Sequence, residues 1–244
     1  MKLTIIIPVY NEARTISELI RKVKSVKLVD VIRKEIIIIN DGSTDGTTQL
    51  LRNDENDSAV NIFHLPRNQG KAEALKLGIA HATGDIILFQ DADLEYDPSN
   101  YPQLLEPFLL SNAAIVFGSR FKGTIKKMSP LIWIANRLTN LTVNVLFKTQ
   151  LTDVNTCYKL GKSEIIKNIK MTSKRFVCEA EITCALLKQG YSITEVPITY
   201  HARTKKEGKK LTWLEAIKMY FGFIFYTFES DTKQAGATIT QMGI

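Results

Sequence analysis

The chain has few cysteines and no long hydrophobic run. Its 244 residues include three cysteines, Cys157, Cys178 and Cys184, an odd count without the paired spacing of a zinc site. Reduced and packed thiols in a cytoplasmic protein are therefore expected. No uninterrupted apolar stretch reaches the roughly 20 residues that a membrane-spanning helix needs. The apolar run before Pro8 is too short and too early for a secretory signal, so a soluble or peripheral protein is expected.

Acidic residues are absent from a long interval in the middle of the chain. None occurs between Glu106 and Asp153. The same interval holds six basic residues: Arg120, Lys122, Lys126, Lys127, Arg137 and Lys148. Together with a formal net charge of +7, this asymmetry favours an anionic partner. A nucleic-acid-binding protein should interleave aromatic and basic residues, but the aromatic residues here gather near the C-terminus, which disfavours that class.

Two further absences narrow the class of protein. The first apolar run is not followed by a glycine-rich phosphate loop. A nucleotidyltransferase with an α/β fold should have such a loop after its first strand. The sequence also contains no internal repeat and no low-complexity linker. With 45% hydrophobic residues, a chain of this length can bury a substantial core and is expected to form one globular domain with additions.

Strand and helix patterns alternate along the chain. Leu3–Ile7 and Glu35–Asn40 are continuous β-branched runs, typical of strands that are covered on both faces in a parallel sheet. Further strands are predicted at Val60–Leu65, Ile86–Phe89, Ala113–Gly118, Cys157–Leu160 and Tyr191–Tyr200, the last an edge or interrupted strand because it contains Pro197. Helices are predicted at Glu12–Lys24, from about Asp45, and at Lys71–His81, Pro98–Leu110, Pro130–Phe147, Ala180–Lys188 and Leu211–Phe228. The alternation indicates an α/β fold with a mainly parallel sheet.

A pair of acidic residues follows the predicted strand Ile86–Phe89. Asp91 and Asp93 are two residues apart in a segment expected to be extended, so their carboxylates share a face. Two such carboxylates can hold Mg²⁺ or Mn²⁺ together with phosphate oxygens of a substrate. Taken alone, an Asp-x-Asp pattern is more typical of a solvated turn or a helix cap.

Three polar loops precede the acidic pair. They are Pro8-Val9-Tyr10-Asn11-Glu12, Asn40-Asp41-Gly42-Ser43-Thr44-Asp45-Gly46-Thr47 and Asn68-Gln69-Gly70-Lys71. Turn and capping chemistry explains each loop when it is taken alone. However, the loops occur in order at the ends of successive predicted strands, where ligands collect in open α/β sheets. Together they predict one binding site.

This ordered set of motifs resembles the inverting glycosyltransferases of family 2, which have the GT-A fold, a three-layer α/β/α architecture with a mainly parallel mixed sheet. The match covers about 3–211 and contains the patterns Pro-x-Tyr-Asn-Glu, Asp-Gly-Ser-x-Asp-Gly-Thr, Asn-x-Gly-Lys and Asp-x-Asp. The resemblance implies an enzyme that binds a UDP- or GDP-sugar with Mg²⁺ or Mn²⁺. Within the family, the chain is most similar to the dolichyl-phosphate mannose synthase and polyprenyl-phosphate glycosyltransferase type enzymes.

The resemblance also implies which residues bind the donor. Those that would hold the base and ribose are Pro8, Tyr10, Glu12 and Asp41. Asp91 and Asp93 would hold the ribose, metal and diphosphate, with both as metal ligands, and Lys71 and Ala92 are further donor-site residues. A divalent ion at that position would neutralise the charge that develops on the leaving diphosphate.

On the acceptor side, the resemblance implies that two arginines grip a lipid phosphate. They are Arg120, which follows Gly118-Ser119, and Arg137, and the guanidinium fork suits this role. A solvated basic face is the alternative. The segment 152–160 also resembles the acceptor side, but Thr156-Cys157 stands where these enzymes usually have glycine and a small polar residue. A polyprenyl phosphate and a sugar hydroxyl, the latter in cell-surface polysaccharide or glycolipid synthesis, both remain open as acceptors.

The choice of acceptor decides whether a general base is needed. A hydroxyl acceptor needs a carboxylate to take its proton, whereas a phosphate acceptor arrives ionised. The candidate bases are Asp153, Glu179 and Glu181. For each of them, a helix-cap or ion-pair role is an equal alternative.

The C-terminal part adds a basic loop, an aromatic helix and a tail. The loop His201–Leu211 resembles a mobile loop that folds over the donor diphosphate and excludes water, and Arg203 and Lys210 match its arginine and lysine. The helix 211–228 is expected either to lie on an anionic membrane at its cytoplasmic face or to pack in an oligomer. We therefore expect a glycosyltransferase domain at 1–210, with a nucleotide-sugar half 1–97 and an acceptor half 98–210, then this helix and a disordered tail, 229–244.

Overall fold

The structure, a computed structural model, describes residues 1–173, 177–204, 207–209 and 213–229. Seven strands form one sheet: β1 Lys2–Val9, β2 Arg33–Asn40, β3 Val60–His64, β4 Ile86–Phe89, β5 Ile115–Lys126, β6 Lys159–Lys162 and β7 Ile193–His201. The α-helices of the described residues are α1 Ile16–Ser25, α2 Thr47–Leu51, α3 Lys71–His81, α4 Tyr101–Leu110, α5 Pro130–Phe147, α6 Ser163–Lys167, α7 Cys178–Lys188 and α8 Trp213–Phe228. Short 3₁₀ turns precede α4 at Pro98–Asn100 and follow α2 at Arg52–Asp54.

The sheet is mostly parallel, with the strand order β3-β2-β1-β4-β6-β5-β7. β6 is the exception, since it runs antiparallel to both β4 and β5. Its N-terminal end therefore lies at the same edge of the sheet as the C-terminal ends of the other strands. This edge collects the loops that the sequence predicted to form one site. The α/β class and the mainly parallel, mixed sheet are confirmed.

β1 and β2 are buried over most of their length, as their continuous β-branched runs predicted. Ile5, Ile6 and Ile7 of β1 and Ile37 and Ile38 of β2 are fully inaccessible to solvent. β1 pairs with β2 on one side and β4 on the other, and helices cover both faces. Burying an isoleucine side chain contributes about 1.5–3 kcal/mol, so these strands form the stable base that carries the loops.

The edge position of β7 is also confirmed. Pro197 lies within β7, which pairs only with β5 among the strands of the described residues. A proline cannot donate a hydrogen bond to a second neighbouring strand, so it is tolerated at this edge. β5 extends to Lys126, well beyond the predicted end at Gly118, because it pairs with β7 again after an irregularity between Ser119 and Thr124.

Two smaller differences have local causes. α1 begins at Ile16 and not at Glu12, because the backbone carbonyl of Glu12 accepts hydrogen bonds from Thr15 and Ile16 in a preceding turn. α6 was not predicted, since its five residues are too few to show a helical period. The bounds of α3 and α5 agree with the prediction to the residue.

α5, α7 and α8 pack together beside the sheet. Val143 of α5 and Phe223 of α8 are fully buried in a small second core with Leu151, Val154 and Cys184. Within the part of the chain that the structure describes, no helix combines the length and the apolar character needed to cross a membrane. The predicted tail beyond Glu229 lies outside the described residues.

Candidate active site

A cleft of about 640 Å³ opens at the edge of the sheet where the strand ends and the polar loops meet. The side chains of α5 and α8 form its other wall, including Asn136 and Met219. The structure brings most of the predicted site residues to this cleft: Pro8, Tyr10, Glu12, Asp41, Lys71, Asp91, Ala92, Asp93, Arg120, Glu179 and Arg203. The convergence follows from the parallel sheet, because the C-terminal ends of parallel strands share an edge.

The loop after β1 and the loop after β2 are joined by hydrogen bonds. The amide of Asn11 donates to Oγ of Ser43 at 2.9 Å, and the amide of Thr44 donates to Oδ1 of Asn11 at 2.8 Å. Asn11 has a left-handed backbone with φ of 50°, a conformation that asparagine tolerates better than most residues. The amide of Glu12 donates to Oγ1 of Thr47 at 3.0 Å. These contacts turn Glu12 into the cleft.

Asp41 holds the loop that leads into α3. Its Oδ1 accepts a hydrogen bond from the amide of Gln69 at 2.7 Å, and its Oδ2 accepts one from the amide of Gly70 at 2.8 Å. Asp41 is buried, so these bonds satisfy a carboxylate that would otherwise be costly to desolvate. Asp41 therefore shapes the donor side of the cleft as well as lining it.

Asp91 and Asp93 lie on the floor of the cleft, with side chains 26% and 21% exposed. Oδ1 of Asp91 accepts a hydrogen bond from Nζ of Lys71 at 2.6 Å. Burial raises the pKa of Asp93 to about 7, with further contributions from the neighbouring carboxylates of Asp91 and Glu95, although Arg203 acts in the opposite direction. The two acids are thus close enough to repel each other, which favours a cation between or beside them.

Arg203 covers this acidic group from the loop after β7. Its Nη1 and Nη2 lie 2.9 and 3.1 Å from the two carboxylate oxygens of Glu12. Nη2 also donates to Oδ2 of Asp93 at 3.1 Å. One guanidinium group therefore links the first motif to the acidic pair, through the bidentate geometry that arginine favours.

Glu95 anchors the same loop, and sequence reasoning missed it. Its Oε1 accepts a hydrogen bond from the amide of Arg203 at 2.7 Å and lies 3.4 Å from Nζ of Lys209, while its Oε2 accepts from the hydroxyl of Tyr200. Leu94, at φ of 62°, turns the chain so that Glu95 reaches the loop. The available signal was a third acid in the run Asp91-Ala92-Asp93-Leu94-Glu95.

A row of alternating charges leads from the core to the cleft. Nζ of Lys71 lies 2.7 Å from Oε1 of Glu179, and Nζ of Lys159 lies 2.5 Å from Oε2 of the same residue. Burial opposes ionisation of Glu179, but Lys159 and Lys71 lower its pKa below the ordinary value. Such a carboxylate is a weak base, so the geometry favours the ion-pair alternative over general-base catalysis. Lys159, which was not predicted, is fully buried.

Arg120 and Asp153 form a buried ion pair. Nε and Nη2 of Arg120 lie 2.7 Å from the two oxygens of Asp153, and the Arg120 amide donates to Oδ2 at 2.9 Å. Nη2 also donates to Oδ1 of Asn136 at 3.3 Å. Arg120 lines the cleft, whereas Asp153 lies behind it and has no solvent exposure. Asp153 therefore takes its ion-pair alternative and does not reach the cleft as a base.

Two other predicted residues do not reach the cleft. Glu181 accepts hydrogen bonds from the amides of Thr172 and Ser173 and from both of their hydroxyls, so it stabilises the segment before α7. Arg137 is exposed on the outer side of α5, where its guanidinium lies 5.7 Å from the ring centroids of Phe121 and Trp133. Its position one residue after Asn136 rotates it away from the cleft. Lys210 lies outside the described residues.

All three cysteines are buried free thiols, as their packing was predicted. Cys157 lines the cleft, where its Sγ lies 3.9 Å from Nζ of Lys71. Burial raises the pKa of the Cys157 thiol well above its ordinary value. The departure at Thr156-Cys157 therefore places a neutral thiol against the floor of the site.

The residues on the floor fit a divalent cation held by few protein ligands. Asp91 and Asp93 supply carboxylate oxygens, the ligand type that Mg²⁺ and Mn²⁺ prefer. Among the described residues, no group of three or more acidic, histidine or cysteine side chains forms a complete metal cage. A cation at this pair would thus depend on ligand oxygens from a substrate, which is the usual arrangement for Mg²⁺ with phosphates.

The family model of glycosyl transferase family 2 matches residues 4–169, more than half of the chain. The chain belongs to glycosyl transferase family 2. The resemblance found in the motifs is therefore confirmed, and the protein is a glycosyltransferase. The matched segment contains all four motif loops and ends shortly after α6.

Two relatives are each 28% identical to this chain in sequence. Dodecaprenyl-phosphate galacturonate synthase of Rhizobium johnstonii is 28% identical over 210 residues, which cover 83% of this chain and 60% of the synthase. The chain thus spans less than two thirds of that enzyme. An uncharacterized protein of Methanocaldococcus jannaschii is 28% identical over 231 residues, covering 90% of this chain and 98% of the relative.

Solved structures show the same fold. The glucosyl-3-phosphoglycerate synthase of Mycobacterium tuberculosis with phosphoglyceric acid has a TM-score of 0.71 at 18% identity, over 95% of this chain and 81% of that one. The same enzyme with Mn²⁺, UDP and glucosyl-3-phosphoglycerate has a TM-score of 0.69 at 19% identity, over 92% and 78%. At this identity the likeness concerns the fold alone. It confirms the GT-A architecture that the motifs implied.

Proposed function

We propose that this glycosyltransferase moves a sugar from a nucleotide diphosphate sugar, a UDP- or GDP-sugar, to a polyprenyl phosphate, with inversion at the anomeric carbon and with Mg²⁺ or Mn²⁺. The observation that carries the proposal is the acidic pair Asp91 and Asp93 on the floor of one cleft, which Arg203, in contact with Asp93, and Arg120 also line. This arrangement combines a cation site with positive charge for two phosphate-bearing ligands. One relative is named a dodecaprenyl-phosphate galacturonate synthase, and a different enzyme of the same fold was crystallised with UDP and Mn²⁺.

The donor would bind across the ends of β1, β2 and β4. Pro8, Tyr10 and Glu12 line that part of the cleft, and Asp41 fixes the adjoining loop, which supports a site for the base and ribose in the half 1–97. Asp91 and Asp93 would hold the metal, which supplies Lewis-acid stabilisation of the leaving diphosphate. Lys71 holds Asp91 in place, and Arg203 offers further positive charge to the diphosphate from the loop after β7.

The acceptor would enter from the wall formed by α5, in the half 98–210. Arg120 lines this side, and its contacts with Asp153 and Asn136 use Nε and Nη2 but not Nη1. These contacts fix the plane of the guanidinium group, so that it is oriented before a phosphate arrives. The residues of α5 that line this wall include no acidic side chain that would repel a phosphate.

The state of the candidate bases favours a phosphate acceptor over a hydroxyl. Asp153 is paired with Arg120, Glu179 is paired with two lysines, and Glu181 binds the segment before α7. A hydroxyl acceptor would need one of them to take its proton, whereas a polyprenyl phosphate arrives already ionised. The hydroxyl alternative, a sugar acceptor in polysaccharide or glycolipid synthesis, therefore lacks a free base among these three residues.

A transfer assay tests this function. Wild-type protein, Asp93→Asn and the matched control Asp30→Asn, which changes an exposed acid far from the cleft, are incubated with UDP- and GDP-sugars, Mn²⁺ and a polyprenyl phosphate. We expect transfer by the wild type and the control, loss on addition of EDTA, and a fall of at least about 10²-fold for Asp93→Asn. Transfer to a sugar hydroxyl but not to the lipid phosphate would instead support the alternative acceptor.

A further inference from the structure

α5 and α8 expose large apolar side chains to solvent along one side of each helix. On α5 these are Leu131, Trp133, Ile134, Leu138, Leu141 and Val145. On α8 they are Ile217, Phe221, Phe225 and Phe228. Apart from Trp133, the residues of each set are spaced three or four apart, which makes a continuous stripe along each helix. Exposed apolar patches of this kind mark contact surfaces in a protein that otherwise buries its core.

The two stripes belong to helices that pack side by side. Val143 of α5 and Phe223 of α8 meet in the small second core, and the hydroxyls of Thr142 and Tyr220 lie 3.3 Å apart. The inward sides of the same helices line the cleft through Asn136 and Met219. The exposed apolar surface therefore adjoins the wall through which the acceptor would enter.

The charges near α5 are mostly positive, whereas α8 carries or adjoins both signs, with Glu215 and Glu229 as well as Lys218. Arg137 lies on the exposed side of α5, Lys127 precedes the helix, and Lys148 follows it. α5 itself contains no acidic residue. On α8, Glu215 is paired with Lys218 at 2.8 Å, and near α5 Glu207 lies 3.8 Å from Lys127. The basic residues form a rim that is complementary to a negatively charged partner. The apolar stripes at the centre of the surface are complementary to an apolar partner.

We propose that the exposed stripes of α5 and α8 dock this protein on an anionic lipid bilayer, with the apolar side chains in the interface and the basic side chains at the headgroups. An interfacial helix pair of this composition binds by apolar burial and by attraction to anionic lipid. A second copy of the chain fits less well, because a symmetric dimer would bring the same basic rim together with itself. The proposal rests on the proposed function only in linking the surface to a lipid acceptor.

Vesicle sedimentation tests this docking. The probes are vesicles of phosphatidylcholine alone and of phosphatidylcholine with phosphatidylglycerol. We expect the wild type to bind the phosphatidylglycerol vesicles about tenfold or more tightly than the neutral ones, and binding to weaken as salt is added. The double variant Leu141→Glu/Phe221→Glu should reduce this binding at least about tenfold, since both side chains are 61% exposed and would enter the interface.

The matched control is Val31→Glu, which introduces the same charge at an exposed apolar residue away from α5 and α8. It should bind vesicles within about twofold of the wild type. Equal loss in the control, or no vesicle binding by the wild type, would overturn the proposal. So would a wild-type dimer that Leu141→Glu/Phe221→Glu dissociates, because a second copy would then cover the surface.

Failure of the docking proposal is distinguishable from failure of the proposed function. Transfer to a short, water-soluble polyprenyl phosphate needs no membrane, so the double variant should retain wild-type rates with it. Vesicle binding without any transfer would leave the docking surface standing and reject the function. Transfer to the soluble acceptor without vesicle binding would support the function and reject the docking surface.

Discussion

Lys71 and Glu179 form an ion pair of 2.7 Å at the floor of the cleft. The same ammonium group of Lys71 lies 2.6 Å from Asp91, and Lys159 contacts the other oxygen of Glu179 from the core. Because Glu179 lies between the buried Lys159 and the partly buried Lys71, its first role is to hold Lys71 against Asp91. The geometry makes it a positioning residue, although its sequence context also suggested a base.

Removal of the Glu179 charge should destabilise the protein. Glu179→Gln leaves Lys159 buried without its counter-ion, which costs about 3–5 kcal/mol. Glu179→Gln/Lys159→Met removes both charges and should recover at least half of that loss. Urea denaturation of the two single variants and the double variant measures the coupling. Purely additive losses would contradict the ion pair, and a fall of about 10²–10⁴-fold in rate with unchanged stability would instead indicate a catalytic base.

Arg203 should control the protonation of Asp93. Burial, Asp91 and Glu95 raise the pKa of Asp93 to about 7, and the guanidinium of Arg203 acts against them. In metal-free protein, Arg203→Ala should therefore move this pKa upward, to a value above about 7. The ¹³C chemical shift of the labelled Asp93 carboxyl group, followed against pH, measures the change. An unchanged or lower midpoint would show that Arg203 does not face Asp93 in solution.

Glu35 should make stability depend on pH at the opposite end of the sheet. Burial opposes its ionisation, but hydrogen bonds from Lys2, Thr4 and Thr83 outweigh that effect and lower its pKa from 4.5 to about 2. A lowered pKa stabilises the fold above the unfolded value, and this contribution is lost as the pH falls from about 4.5 through about 2.

The variant Glu35→Gln tests this dependence. At pH 7 it should lose about 1–3 kcal/mol of unfolding free energy, because hydrogen bonds to a buried charged group are lost. The difference between the wild type and the variant should shrink across the acidic window and vanish below the folded pKa. Denaturation curves at several pH values give the comparison. A difference that stays constant down to the lowest pH would contradict the assignment.

Gly42 should be intolerant of a side chain. It has a φ of 65°, and a Cβ at this position would lie 2.5 Å from the carbonyl carbon of Arg67. Gly42→Ala should therefore cost about 2–4 kcal/mol, from backbone strain together with the steric clash. Gly190 is the matched control, since its φ is 78° but nothing lies within 4 Å of an added Cβ.

For Gly190→Ala we expect a loss of about 1 kcal/mol in unfolding free energy, from backbone strain alone. Chemical denaturation compares both variants with the wild type. Equal losses would mean that the loop after β2 can move away from Arg67. The loop after β2 and the loop before α3 would then be less tightly joined than the structure shows.

The fold was predictable because its strongest signals are local. The β-branched runs Ile36–Ile39 and Ile5–Ile7 predict buried strands whatever surrounds them, and parallel pairing then brings their following loops to one edge. The order of the four motif loops along the chain indicated the family. The antiparallel direction of β6 was not predictable, since its short run gives no directional signal, and this direction is what brings Cys157 and Lys159 to the site.

The roles of individual acids were less predictable, because they depend on tertiary partners. Asp153 and Glu181 were both candidate bases in the sequence. In the structure Asp153 pairs with Arg120, and Glu181 accepts hydrogen bonds from Thr172 and Ser173. Arg137 faces outward because the rotation of α5 places Asn136 toward the cleft. Sequence spacing fixes which residues share a helix face, but not which face packs inward when both faces carry polar residues.

The most direct test of the central claim is the position of Mn²⁺ in crystals grown with Mn²⁺ and a nucleoside diphosphate. The anomalous signal of manganese locates the ion without reference to activity. We expect a single strong peak within ligand distance of both Asp91 and Asp93, roughly 2 Å from their oxygens, with the diphosphate on its other side. A cleft that holds the nucleotide without the ion, or a peak that lies away from both aspartates, would contradict the central claim.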